Sequence, residues 1–106
     1  MPLTRNFKET VQARVQRELA FGKELLRASV ESFVLGDIET GKAVLRDYIN
    51  ATIGFAEVAE ATQHSSKSLM RMLSRSGNPQ ARKLFEIVEY LQRKERLRFQ
   101  VAAAAR

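Results

Sequence analysis

Apolar residues recur along most of this chain at the three- and four-residue spacing of a helix, not at the alternation of a strand. Phe7, Val11 and Val15 make a first stripe, and Asn6 with Glu9 three residues later reads as a capping box, so a helix is expected to start near Phe7. A second helical pattern runs from about Glu18 to Leu35, with Leu19, Leu26, Val30, Phe33 and Val34 as its buried positions and Gly36 as its stop. Nothing between Val15 and Leu19 breaks the backbone, so these read equally as one helix or two. Asp37 can cap the next helix, Ile38 to about Ala51, whose inward positions are Gly41, Val44, Leu45, Tyr48 and Ile49.

The stretch Phe55 to Leu73 reads as two short helices joined by a tight turn. Phe55, Val58, Ala59 and Thr62 occupy i, i+3, i+4 and i+7 of the first. Leu69, Met72 and Leu73 share one face of the second, with Lys67, Ser68 and Arg71 largely on the other. Ser65 or Ser66 can cap the second helix, and Ala59 is small where two helices must cross closely. Such a layout is a helix-turn-helix, whose second helix can enter the DNA major groove.

Beyond it, Gly77 can stop the second helix, Asn78 can cap another, and Pro79 suits its first position. That helix is expected from Pro79 to about Gln92, burying Leu84, Ile87, Val88 and Leu91. The tail Arg96 to Val101 alternates polar and apolar residues, the period of a half-buried strand. A lone strand leaves its backbone groups unpaired. The tail therefore either pairs with its copy in a second subunit or is disordered alone; a continued helix, favoured by the run of alanines, is the rival. The whole predicts an all-α domain of five or six helices around a central helix-turn-helix, with a short C-terminal β-strand.

At 106 residues the chain is expected to form a single domain. Residues 1–36 would be a helical lead-in, 37–93 the core and 94–106 the tail. Without cysteine, disulfides and thiolate metal sites are excluded, which suits a reducing cytoplasm. No apolar run approaches the ~20 residues of a membrane span, and the first ten residues have no signal core. The net charge of +6 is unevenly placed: residues 1–64 hold 8 Lys+Arg against 9 Asp+Glu, residues 65–106 hold 10 against 3. The excess begins where the second helix of the motif begins, which suggests a polyanionic partner; the plain alternative is a solvated basic surface.

The run from Ile53 to Leu91, IGFAEVAEATQHSSKSLMRMLSRSGNPQARKLFEIVEYL, resembles the DNA-binding core of Xre/Cro-type regulators. More narrowly, RDYINATIGFAEVA followed by KSLMRMLSRSGNP is similar to a family of short bacterial addiction-module antidotes (antitoxins). The similarity covers roughly residues 36–101, and the N-terminal third matches more loosely. The resemblance implies a cytoplasmic, sequence-specific DNA-binding repressor that acts as a homodimer on operator DNA. It also implies neutralisation of a small ribonuclease-type toxin encoded beside it. Because the DNA-binding core needs none of it, the segment Phe7 to Leu35 is the candidate toxin contact.

With Ala59 aligned to the small residue of the family's first motif helix, Ser66, Lys67 and Arg71 fall where recognition helices meet base edges, with Ser65 and Met70 beside them. Arg suits bidentate recognition of guanine, Lys does this or holds a phosphate, and Ser reads either base type. In the family's fold the following loop lies along the backbone, so Arg75, Asn78, Arg82 and Lys83 are candidate phosphate contacts. Two residues depart from the pattern. Gln63 stands where such turns commonly carry Gly at positive φ, which implies a longer or reshaped turn. His64 stands where an apolar residue usually plugs the core, and reads as a turn residue or at most a phosphate donor.

A lone His without Cys or a carboxylate pair is a poor metal ligand, so no metal or cofactor is expected. The pairs Glu57/Glu60 and Glu86/Glu89 read as solvated helix carboxylates without a nucleophile or phosphate-cradling loop, and Met70/Met72 as packing; no enzyme is expected. Two readings from other classes stay open. One is a protein-interaction module with a degenerate helix-turn-helix. The other is a structural nucleic-acid binder without sequence preference. The ratio of specific to non-specific affinity separates them.

Overall fold

The computed structural model describes residues 10–14 and 19–106. Residues 10–14 are helical, and Val11 is buried. The capping box at Asn6 and Glu9, the positions Phe7 and Val15, and the join between the first two helical patterns lie outside the described residues. Five helices follow: α1 Leu19–Val34, α2 Ile38–Ala51, α3 Gly54–Thr62, α4 Ser66–Met72 and α5 Ala81–Glu95. Among the described residues the regular secondary structure is thus all helical, without a strand.

Each helix end has a local chemical cause. At the end of α1, Gly36 takes φ +87°; its N–H donates to Phe33 O at 3.1 Å, and the Asp37 N–H to Ser32 O at 2.8 Å. This paired closure satisfies carbonyls that a helix end leaves orphaned. The Asp37 carboxylate then accepts from the Thr40 N–H at 3.3 Å and caps α2. The same closure recurs at Gln63 after α3 and at Arg96 after α5, both left-handed at φ +59° and +57°. A non-glycine residue there bears a steric cost that the surrounding hydrogen bonds must offset.

α1 packs chiefly on α2, and α3 contacts α2, α4 and α5. The α1–α2 crossing is tight at Gly41: a Cβ there would lie 2.8 Å from the Phe33 ring, and the buried Ser29 hydroxyl donates to Gly41 O at 3.0 Å. The core gathers Leu26, Leu45, Tyr48, Ile49, Phe55, Val58, Ala59, Leu69, Met72, Leu73, Leu84, Ile87 and Leu91. Fully burying a Leu such as Leu69 is worth about 1.5–3 kcal/mol.

Five expectations are corrected. α4 closes at Met72, with Leu73 as its cap, so Gly77 is not the residue that stops it. Val34 is 73% exposed, because it is the last residue of α1 and the first turn of α2 beside it is exposed too. α5 starts at Ala81, not Pro79, and Asn78 does not cap it: Gln80 is extended at ψ 132°, and its carbonyl accepts the first helical bond, from Leu84 N–H at 2.9 Å. α5 also runs on to Glu95. Finally, the strand over Arg96 to Val101 is not formed, nor is the continued helix. Left-handed Arg96 turns the chain out of α5, and residues 97–106 have no regular secondary structure. An extended segment without a strand beside it has no ladder to join. Phe99 still packs on the core, its N–H held by the Gln92 side chain at 2.8 Å.

Candidate nucleic-acid interface

α3 and α4 are joined by the three residues Gln63, His64 and Ser65. The turn is short because Gln63 itself adopts the left-handed conformation that glycine usually supplies. The expected reshaping of the turn does not occur. Ser65 is the cap of α4: extended at ψ 144°, its Oγ accepts the Ser68 N–H at 3.0 Å. Of the two serines weighed as caps, Ser65 fills the role, and Ser66 opens the helix.

His64 is neither a plug in the core nor an open phosphate donor. Its Nε2 lies 2.8 Å from Glu86 Oε1 on α5, with the side chain 21% exposed. About two helical turns earlier, on α3, Glu57 accepts from the Tyr90 hydroxyl at 2.8 Å and pairs with Lys94 Nζ at 3.0 Å. Glu57 therefore ties α3 to α5 and Glu86 ties the turn to α5; neither is merely a solvated carboxylate. The bond to Lys94 and then that to Tyr90 hold the Glu57 carboxyl below its ordinary pKa. These tethers and the Phe55/Val58/Ala59 face fix α3, and α3 with the core fixes α4.

Leu69, Met72 and Leu73 point inward from α4 and its end. The opposite face carries Lys67, Met70 and Arg71, all exposed, with Ser66 half-buried at its start and Ser65 exposed before it. Met70 is 49% exposed. The five residues proposed for base contacts thus lie on or beside one open surface. Among those proposed for the phosphate backbone, Asn78 and Lys83 line an open concavity of about 400 Å³ together with Arg71, Ser68 and Gln80. Arg75 lies apart, in a smaller depression with Arg46 and Glu39. Arg82 is highly exposed but sits 3.7 Å from Glu86, so its charge is partly answered within the protein.

The charge pattern of the surface is lopsided. Arg27, Lys42, Arg93 and Lys94 each face a carboxylate. Among the described residues, no carboxylate pairs with Lys67, Arg71, Arg75 or Lys83. The sequence carries that signal directly: between Glu60 and Glu86 there is no acidic residue. Carboxylates here would repel a polyanion; unpaired cations attract one.

Two residues that the sequence reading passed over hold the loop after α4. Lys42 of α2 is 1% exposed, and its ammonium donates to Gly77 O at 2.8 Å and Arg75 O at 3.1 Å, with Glu39 Oε2 at 3.0 Å. Arg46, one turn along, donates to Leu73 O. Gly77 sits so close to the end of α4 that a Cβ would lie 2.0 Å from Arg71 O. A signal for Lys42 was present: Lys42, Leu45 and Ile49 are spaced i, i+3, i+7, so the lysine stands on the buried stripe of its helix.

No group of His and carboxylates among the described residues could hold a metal, and no described helix is long and apolar enough to cross a membrane. No protein-family model matches the chain, and neither a curated protein nor a solved structure matches it.

Proposed function

We propose that this protein is a sequence-specific DNA-binding repressor, with α4 as the helix that enters the major groove. The observation that carries the reading is the unpaired cationic face of α4 and its loop. Lys67 and Arg71 stand one helical turn apart on it and can address the same groove. Ser66, Ser65 and Met70 flank them as further base contacts, Met70 offering an apolar surface to a thymine methyl. Arg75, Asn78 and Lys83 supply phosphate contacts, and Arg82 a weaker one because Glu86 competes for it.

Two copies acting together would set their α4 helices about 34 Å apart in successive major grooves. The exposed tail beyond Phe99 is available to pair with its copy in such a dimer. Selection from a random duplex library tests the reading. It predicts an enriched two-fold symmetric site with half-sites about 10 base pairs apart; recovery of unenriched sequence would count against it.

The antidote role rests on resemblance. What supports a protein partner is the apolar cluster at the end of α1, where Val34 and Leu35 are 73% and 74% exposed and Ile38 is 41% exposed. Single exposed apolar residues are ordinary, but adjoining ones suggest contact. Co-purification with the product of the neighbouring gene tests it, and absence of a complex at micromolar concentration would dismiss it.

A further inference from the structure

We propose that Lys42 is a positioning residue for the DNA-facing loop, acting from inside the protein on groups it never shares with the ligand. This inference rests on the DNA-binding reading above. The loop from Leu73 to Gln80 follows the C-terminal end of α4, where unsatisfied carbonyls and the helix dipole put negative character. A phosphate approaching there would be repelled. α2 answers with two cations: Arg46 takes Leu73 O, and Lys42 takes Arg75 O and Gly77 O. The three carbonyls are held by α2, and Arg75, beside Arg46 at the same edge, and Asn78 stay exposed.

The geometry suits an anchor. Lys42 has three N–H donors, and the two carbonyls and Glu39 provide three acceptors, so a buried ammonium is satisfied. Charge-assisted bonds of this kind are roughly twice as strong as neutral ones. Gly77 permits the close approach that brings the loop to the lysine, since any side chain would collide with α4. Lys42 thereby sets where Arg75 leaves the loop, though its own side chain is 2% exposed and cannot touch DNA.

The test is a mutant cycle of the full chain: wild type, Lys42→Met, Arg75→Ala and the double variant, each titrated with the selected operator over a range of salt. Melting curves confirm that every variant is folded at the assay temperature. If Lys42→Met does not fold, Lys42→Gln, which keeps amide donors without charge, takes its place. Loss of the Arg75 phosphate contact lowers the slope of log K against log salt by about 0.9. The proposal expects that drop in the Lys42 variant itself, and no further drop when Arg75→Ala is added. A role confined to stability would lower the folded fraction and leave the slope intact. An unchanged slope, with Arg75→Ala costing as much in both backgrounds, overturns the positioning role while leaving DNA binding in place. Failure of the wild type to bind any duplex overturns the DNA reading, and this inference with it.

Discussion

Tyr90 donates its hydroxyl proton to Glu57 at 2.8 Å, tying the last helix to the helix before the turn. Lys94 closes on the same carboxylate oxygen at 3.0 Å. The orientation of α4 is inherited from this joint, because α4 follows α3 after only three residues.

The joint gives a pH prediction. Lys94 first and Tyr90 second hold the Glu57 carboxyl below the ordinary carboxylate range. The ionised carboxylate therefore stabilises the fold at and above its ordinary pKa, and that contribution fades as pH falls through the lower folded value. Lys94 runs the other way: Glu57 raises its pKa, so its contribution is complete below the ordinary ammonium value and fades as pH rises through the folded one. An NMR titration of the Glu57 side-chain carboxyl carbon should show a depressed midpoint, and Lys94→Met should move it back up.

Gln63 offers a stability gain. It occupies the left-handed region at φ +59°, where a side chain costs about 1–2 kcal/mol and glycine costs nothing. Glycine gives back part of the difference through the freedom of its unfolded chain, roughly 0.5–1 kcal/mol. Gln63→Gly should raise stability by about 0.5–1 kcal/mol in urea denaturation, whereas Gln63→Val should lower it.

Gly77 predicts the opposite sign. A Cβ would stand 2.0 Å from Arg71 O and 2.5 Å from Met72 O, both backbone atoms that cannot swing aside. Gly77→Ala should destabilise by about 1–3 kcal/mol or more, read as a fall in melting temperature. Gly36→Ala meets nothing within 4 Å and is resisted only by its φ of +87°. Its cost should be near the 1–2 kcal/mol of a left-handed side chain.

The same residues show how much the sequence disclosed. The order of α1 to α4 and most of their bounds follow from apolar spacing and from Gly, Asp or Ser at their ends; the end of α4 does not, since the helix closes at Met72 on Leu73 and not at Gly77. The inward face of α4 was equally legible in Leu69, Met72 and Leu73. What misled was local chemistry overruled by distant contacts. Asn78 and Pro79 have the makings of a helix start, yet the chain before α5 is pinned through Gly77 to Lys42, and the helix begins at Ala81. Gln63 is a poor turn residue by propensity, yet the closure at the end of α3 holds it there. The partners of His64 and Glu57 lie 22 and 33 residues along the chain, beyond the reach of any local pattern.

The proposed division of labour on the α4 surface gives a further prediction. Arg71→Ala should weaken binding to the specific site by about 1–3 kcal/mol and relax discrimination at one position. Lys83→Ala should weaken all sequences alike and flatten the salt dependence by about one contact. Arg82→Ala should do less than Lys83→Ala, because Glu86 already answers its charge. Competition titrations with matched and mismatched duplexes separate the three.

The most direct test is a fluorescence anisotropy titration of the purified protein. The probes are the DNA upstream of its own gene and a scrambled duplex of equal composition, each at low and moderate salt. The account predicts tight, salt-sensitive binding to the first and binding to the second weaker by at least about a thousandfold. Equal affinity for both duplexes would contradict sequence reading by α4 at this site, and no binding to either at low salt would contradict the nucleic-acid reading altogether.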